Sequence, residues 1–263
     1  MVEIVHWNPR RFRASGPLHR LPAVGPRINN FGDLLGPFIA NRINESEGRV
    51  SSSRSRPEPR LLTVGSILTL ARPGDTVWGT GVNGKSIDRD LSLGEVDIRA
   101  VRGPLTRDWA NQRGGSAPSV FGDPALLLGP LFGREELAGG ATSVPISVVP
   151  NFHDYAATRD DRSTMVNPRD SLRAVLRRIA SSDFVCGSSL HGVIVAEALG
   201  IPARFIASDH EPRFKYDDYM LGTGREPAVF ASSVEEARDM GGQTPPVFDH
   251  TPLLDAFPRD LWP

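Results

Sequence analysis

Ser188, Ser189 and His191 open the stretch "GSSLHGVIVAEALGIP" (187–202), directly behind the apolar run "FVCG". The second half of the stretch reads as an apolar helix, so the polar residues fall at its N-terminus. A helix N-terminus presents unpaired N–H groups and a partial positive charge. There Gly187 lets backbone approach closely, and a serine caps the helix or donates a hydroxyl to a ligand. His191, in the first turn, donates to an oxyanion or moves a proton. Simple caps and a satisfied buried histidine would use the same residues, so the stretch alone leaves the two readings even.

Other stretches carry similar chemistry. In "AVRGPLTRD", Arg102 directly follows an expected strand, and Gly103-Pro104 turns the chain into a helix bearing Arg107. "PNFHDY" places His153 and Asp154 after another strand, and "PRFKYDDY" mixes Arg213, Lys215 and two aspartates with aromatic rings. Taken singly, each is better explained by a surface turn or an exposed loop. The loops 29–33, 65–66 and 79–81 add Asn30, Asp33, Ser66 and Gly81. Small residues, polar side chains and isolated charges are what an anion or sugar site needs.

These loops require elements to hold them. "EIVHW", "RLLTVGSILTLA", "DTVWGTGV", "DIRAV", "SVF", "VPISVVP", "DFVCG" and "ARFIA" read as buried strands, alternating with helical stretches such as "NNFGDLLGPFIANRI" and "NPRDSLRAVLRRIA". The rhythm of strand, loop and helix predicts parallel α/β units, whose ligand sites lie beyond the carboxyl ends of the strands. The Gly/Ala/Glu-rich stretch 133–142 marks a domain boundary, and "TPLLDAFPRDLWP" is an apolar-bearing tail expected to dock on the body. A Pro/Arg/Gly-rich excursion occupies 8–29, and 46–59 reads as a polar surface loop.

Composition narrows the class. Of 263 residues, 39% are apolar and 23% charged, which a packed core requires and global disorder does not fit. A formal net charge of -1 argues against nucleic-acid binding. One cysteine, Cys186, excludes an internal disulfide and a cysteine metal cluster, and it reads as a small buried strand residue. The start, "MVEIVHWNPRRFR", lacks the apolar stretch of a secretory signal, and no segment has the apolar length of a membrane span. A cytoplasmic protein, compatible with peripheral membrane contact, is expected. No G-x-G-x-x-G follows the first strand, and Walker A and G-x-S-x-G motifs are absent.

In order, "NNFGDLLGPFI", "VGSIL", "TVWGTGV", "AVRGPLTR", "FGDPALLL", "VPNFHDY", "SSLHGVIVAEALGIPARFI" and "FKYDDYMLGTGR" resemble the bacterial polysaccharide pyruvyltransferases, in particular the exopolysaccharide ketal-pyruvate transferases. The resemblance implies a GT-B-like fold: two Rossmann-like domains with parallel sheets and the active site in the cleft between them. Residues 1–135 would then form the acceptor side, 136–242 the donor side, and 243–263 the tail. It implies transfer of pyruvate from phosphoenolpyruvate to a hexose diol of a polysaccharide or lipid-linked repeat unit. The product is a cyclic ketal, phosphate is released, and no metal or organic cofactor is implied. The acceptor would place the chain at the inner face of the membrane.

The resemblance assigns Arg102 and His191 to the donor site. His191 and Asp33 are then candidates for proton transfer. Ser188, Ser189, His153 and Lys215 are expected on the donor, and Asn30, Ser66 and Gly81 on the acceptor. Many members carry arginine where Ser189 stands, so this chain has lost a cation there, with Lys215 or Arg213 as the replacement. Two other readings fit the loops: a glycosyltransferase with a nucleotide-sugar donor, and a non-catalytic sugar-binding protein.

Overall fold

The computed structural model describes residues 2–12, 24–49, 58–158 and 163–262. Its strands form two parallel sheets and one antiparallel pair. The first sheet runs in the order β1 (Glu3–Val5), β4 (Arg60–Leu62), β5 (Thr76–Trp78), β6 (Asp97–Ala100). The second runs β7 (Ser147–Val148), β8 (Val185–Gly187), β9 (Ala203–Phe205). Between β1 and the first helix, β2 (Arg10–Phe12) pairs antiparallel with β3 (Val24–Arg27). Residues 13–23 of the proline-rich excursion and 50–57 of the expected polar loop lie outside the described residues. Leu61, Leu62, Val77, Trp78, Val185 and Cys186 are fully buried, as strands covered on both faces require.

The helices are α1 (Phe31–Ser46), α2 (Pro104–Asn111), α3 (Leu128–Phe132), α4 (Arg134–Ala138), α5 (Phe152–Ala157), α6 (Leu172–Ala180), α7 (Leu190–Ala198), α8 (Phe214–Gly222), α9 (Val234–Met240) and α10 (Thr251–Asp255). In α1, Phe31, Leu35, Ile39 and Ile43 recur every fourth residue and are buried together. In α6, Val175, Leu176 and Ile179 turn inward while Arg173 and Arg177 face out.

The structure is an α/β fold with parallel sheets, and it differs from the sequence reading in several elements. "SILTLA" is not strand but a tight 3-10 turn at Leu68–Leu70. "FHDY" is helical because Asn151 caps it, its side chain accepting from the N–H groups of His153 (2.8 Å) and Asp154 (3.0 Å). "FKYDDY" is not an exposed loop but α8, which buries Tyr216, Asp218 and Tyr219. The Gly-rich stretch 133–142 contains α4, which Arg134 fastens to α6 by donating to the carbonyls of Ala180 (2.8 Å) and Ser182 (2.9 Å).

One apolar cluster joins the two sheets. Phe31, Leu35 and Trp78 from the first half pack in the same cluster as Val185, Leu190 and Ile194 from the second. Leu253, Phe257 and Trp262 of the tail also belong to it. The tail lies on the first sheet: Trp78 Nε1 donates to the Leu253 carbonyl at 2.8 Å, and Phe257 meets the Trp78 ring edge-to-face at 4.9 Å. Among the described residues no helix is long and apolar enough to cross a membrane.

Candidate active site

The loops past the carboxyl ends of strands from both sheets converge on one open cleft of about 430 Å³. Trp7 enters after β1, and Ser66 to Leu70 after β4. Asn83 to Ser86 follow β5, Asn151 to His153 follow β7, and Ser189 to His191 follow β8. Glu211 and Lys215 come after β9, and Asn30 and Asp33 come from the start of α1.

His191 lies in the first turn of α7, where Ser189 is the cap and accepts from the Gly192 N–H at 3.2 Å. The N–H groups of Leu190 and His191 meet no acceptor among the described residues, so this helix end is open to an anion. The His191 ring is held from two sides. A Cβ on Gly32 would lie 2.4 Å from Nδ1, so the ring occupies space that only glycine leaves. On the other side Nε2 faces Oδ2 of Asp123 at 3.5 Å. Both of these atoms are sealed from solvent and have no hydrogen-bond partner among the described residues. Asp123 is itself fixed, because Oδ1 caps the turn at Pro124–Leu127 by accepting from the Ala125 N–H at 3.0 Å.

Asp33 sits beside Gly32 in the first turn of α1. Asn30 donates to its Oδ2 at 2.8 Å. Burial pushes its carboxyl above the ordinary aspartate value, against the opposing influence of His191, the Asn30 bond, His6 and Lys215.

Opposite, Glu211 is clasped by two lysines. Lys215 Nζ lies 2.6 Å from Oε2 and Lys85 Nζ 2.7 Å from Oε1. Burial pushes the Lys215 ammonium below the usual lysine value, although Glu211 pulls it up. Burial alone would raise Glu211, but the lysines outweigh it and hold the carboxyl below its ordinary value. Arg213 is turned away: it is exposed, pairs with Asp217 at 3.2 Å and covers the Phe230 ring.

Three of the residues expected at the site do not reach the cleft wall. Arg102 is fully buried: Nε pairs with Asp218 at 3.0 Å, NH2 donates to the Val82 carbonyl at 2.8 Å, and NH1 donates to Ser66 Oγ at 2.9 Å. Asp218 also accepts from the N–H (2.9 Å) and hydroxyl (2.6 Å) of Thr106, so the arginine belongs to a closed network. It meets the cleft only through Ser66. Gly81 lies under this guanidinium, where a Cβ would stand 2.3 Å from Arg102 Cζ. Ser188 is buried too; its Oγ accepts from the Asn151 backbone (3.0 Å) and side chain (3.1 Å) and donates to Asp154. The cleft does bring together Asn30, Asp33, Ser66, His153, Ser189, His191 and Lys215.

Asp123, Lys85 and Glu211 emerge only from the structure. Nothing in the sequence neighbourhood of Asp123 points at a histidine 68 positions later. Glu211 stands four residues before Lys215, the spacing of an ion pair across one helical turn, but the segment does not read as helix from its sequence.

A model described as "Polysaccharide pyruvyl transferase" matches residues 69–210, which include Lys85, Arg102, Asp123, His153 and His191. The succinoglycan biosynthesis protein ExoV of Rhizobium meliloti (strain 1021) is 30% identical over 207 residues, covering 74% of this chain and 62% of that protein. The chain thus spans less than two thirds of that relative's length. The uncharacterized protein L143 of Acanthamoeba polyphaga mimivirus is 26% identical over 214 residues, covering 75% of this chain and 72% of L143. Among solved structures, an uncharacterized protein from Klebsiella pneumoniae aligns with a TM-score of 0.47 at 16% identity, over 78% of this chain and 90% of that one.

Proposed function

The chain belongs to the polysaccharide pyruvyl transferase family, and on that premise we propose that it transfers pyruvate from phosphoenolpyruvate to two hydroxyls of a hexose. The acceptor is a polysaccharide or lipid-linked repeat unit, presented at the inner face of the membrane. The product is a cyclic ketal, and phosphate leaves. The observation that carries this reading is the meeting of His191, Asp33 and Lys215 in one cleft, at an open helix N-terminus.

The chemistry assigns a task to each group. C3 of the donor gains a proton, which leaves an oxocarbenium-like C2. One sugar oxygen bonds to C2 and loses its proton. The C2–O bond to phosphate breaks, and the second sugar oxygen closes the ring with loss of its proton. Two hydroxyl protons are released; one balances the proton delivered to C3, and the other is carried off by phosphate or solvent.

His191 supplies the proton from Nδ1, because Nε2 is enclosed against Asp123. Asp123, whose Oδ2 faces Nε2 at 3.5 Å, favours the proton on Nε2 and the observed ring orientation, a positioning role. Asp33 takes the hydroxyl proton; its raised carboxyl is a stronger base than an ordinary aspartate and so better matched to this task near neutral pH. Lys215 and Lys85 face the phosphate in place of the family's arginine at Ser189, with Glu211 holding both ammonium groups in position. Ser189 caps α7, whose N–H groups of Leu190 and His191 add to the anion site. Arg102 positions Ser66 from beneath, leaving the serine hydroxyl proton for the acceptor.

The reading retains a GT-B-like arrangement, with the first sheet's half as acceptor side and the second as donor side. It is supported by a cleft lined from both sheets. Incubation with phosphoenolpyruvate and hexose acceptors, followed by mass analysis and phosphate assay, tests it. Transfer from a UDP-sugar instead would establish the glycosyltransferase reading.

A further inference from the structure

Five large apolar side chains are exposed among the described residues: Trp7, Leu70, Val229, Met240 and Val247. Two of them, Trp7 and Leu70, line the active-site cleft, on neighbouring loops past the adjacent strands β1 and β4. Among the residues whose side chains are described, Trp7 is the one exposed Trp, Tyr or Phe ring, with 41% of its surface open. Its exposure is informative because it falls with that of Leu70 in a cleft, where apolar surface beside polar groups is what a ligand site offers.

Its setting defines what would cover it. Phe152, at the start of α5, meets the Trp7 ring edge-to-face at 6.4 Å, with the planes at 83°. The Phe152 ring is backed in turn by the Arg169 guanidinium at 4.3 Å. Trp7 is therefore braced by the second sheet's loops, and it forms a flat apolar part of the wall of a cleft whose polar lining includes Asn30, Asn83 and Ser86. A flat apolar face beside amides and hydroxyls fits a pyranose ring, whose C–H face lies on the indole while its hydroxyls reach the polar rim. Trp7 also precedes the segment that the family model matches, 69–210.

We infer that Trp7 is the stacking platform for a sugar ring of the acceptor, and a determinant of acceptor choice. This rests on the reading of the cleft as a pyruvyl-transfer site with a sugar acceptor. The other three tryptophans, Trp78, Trp109 and Trp262, are no more than 4% exposed, so an indole fluorescence change on sugar binding reports Trp7.

The test titrates the full chain, without phosphoenolpyruvate, with methyl gluco-, galacto- and mannopyranosides and their β-linked disaccharides. UMP is titrated in a parallel arm. A saturable fluorescence change is expected with at least one sugar, and it should be abolished in Trp7→Phe. In turnover assays Trp7→Ala should raise the acceptor KM roughly tenfold or more and leave the phosphoenolpyruvate KM unchanged. Trp7→Phe, which keeps an aromatic face, should recover much of that loss. No fluorescence response to any sugar, or a response to UMP alone, overturns the inference. A wild-type acceptor KM in Trp7→Ala also overturns it, while leaving the pyruvyl-transfer reading in place. A wild-type chain that pyruvylates no sugar overturns the underlying reading instead.

Discussion

At the residue scale, pyruvyl transfer as proposed requires two groups of one cleft in opposite duties, His191 as acid and Asp33 as base. His191→Gln keeps a hydrogen-bond donor but transfers no proton at neutral pH. Its turnover should fall roughly a hundredfold or more, with donor binding still measurable by calorimetry. Near-normal turnover would leave the histidine a positional role. Asp33 makes a second, opposite-signed expectation. Its folded-state carboxyl is raised by burial, so the proton is held more tightly in the folded chain than in the unfolded one. The contribution of such a group to stability is fully present below its unfolded value and is lost as pH rises through the folded value. Near neutral pH the buried carboxylate therefore opposes folding. Asp33→Asn should raise the melting temperature at neutral pH, lose that gain in acid, and abolish turnover. A lower melting temperature at neutral pH would contradict the assignment. The places of His191 and Asp33 beside the cleft were legible in the sequence because each falls in the first turn of an expected helix. Asp123 was not, since its partner is brought to it by tertiary packing between the turn at Pro124 and α7.

At the element scale the loops past strand ends were readable from the alternation of apolar runs and polar turns. What failed was the direction of a side chain within its loop. Arg102 follows β6 as the sequence suggests, but its guanidinium runs inward over Gly81 to Asp218. Nothing local to "AVRGPLTR" encodes that, because Asp218 lies on α8, whose mixed aromatic and charged composition hides a helix with Tyr216, Asp218 and Tyr219 buried. The consequence is testable. Removing one partner of a buried ion pair leaves an uncompensated charge, worth about 3–5 kcal/mol. Arg102→Ala should lose stability of that order in urea unfolding and also impair turnover by releasing Ser66. Arg102→Lys keeps the charge but loses the planar fork, so partial loss of both is expected. An Arg102→Ala protein of wild-type stability would contradict the buried network.

At the scale of the whole molecule, the alternation of elements points to two α/β halves, and the parallel strands fall into two sheets. The sequence gives no sign of the continuity between them. The apolar faces of α1, α7 and the tail meet in a single cluster, and Trp78 is covered by residues some 175 positions away. Apolar periodicity tells which face of a helix is buried, not which element it is buried against. Because the core is shared, the halves should not melt independently. Differential scanning calorimetry is expected to give one cooperative transition that coincides with the far-UV dichroism change. Two resolved transitions would show that the halves are separately stable.

The most direct test of the central claim is mass analysis of hexose acceptors incubated with phosphoenolpyruvate and the full chain, with phosphate measured in the same tube. The account expects one ketal-linked pyruvate per modified hexose and one phosphate released for each, both lost in His191→Gln. Phosphate release without sugar modification, or a product that His191→Gln forms at the wild-type rate, would contradict it.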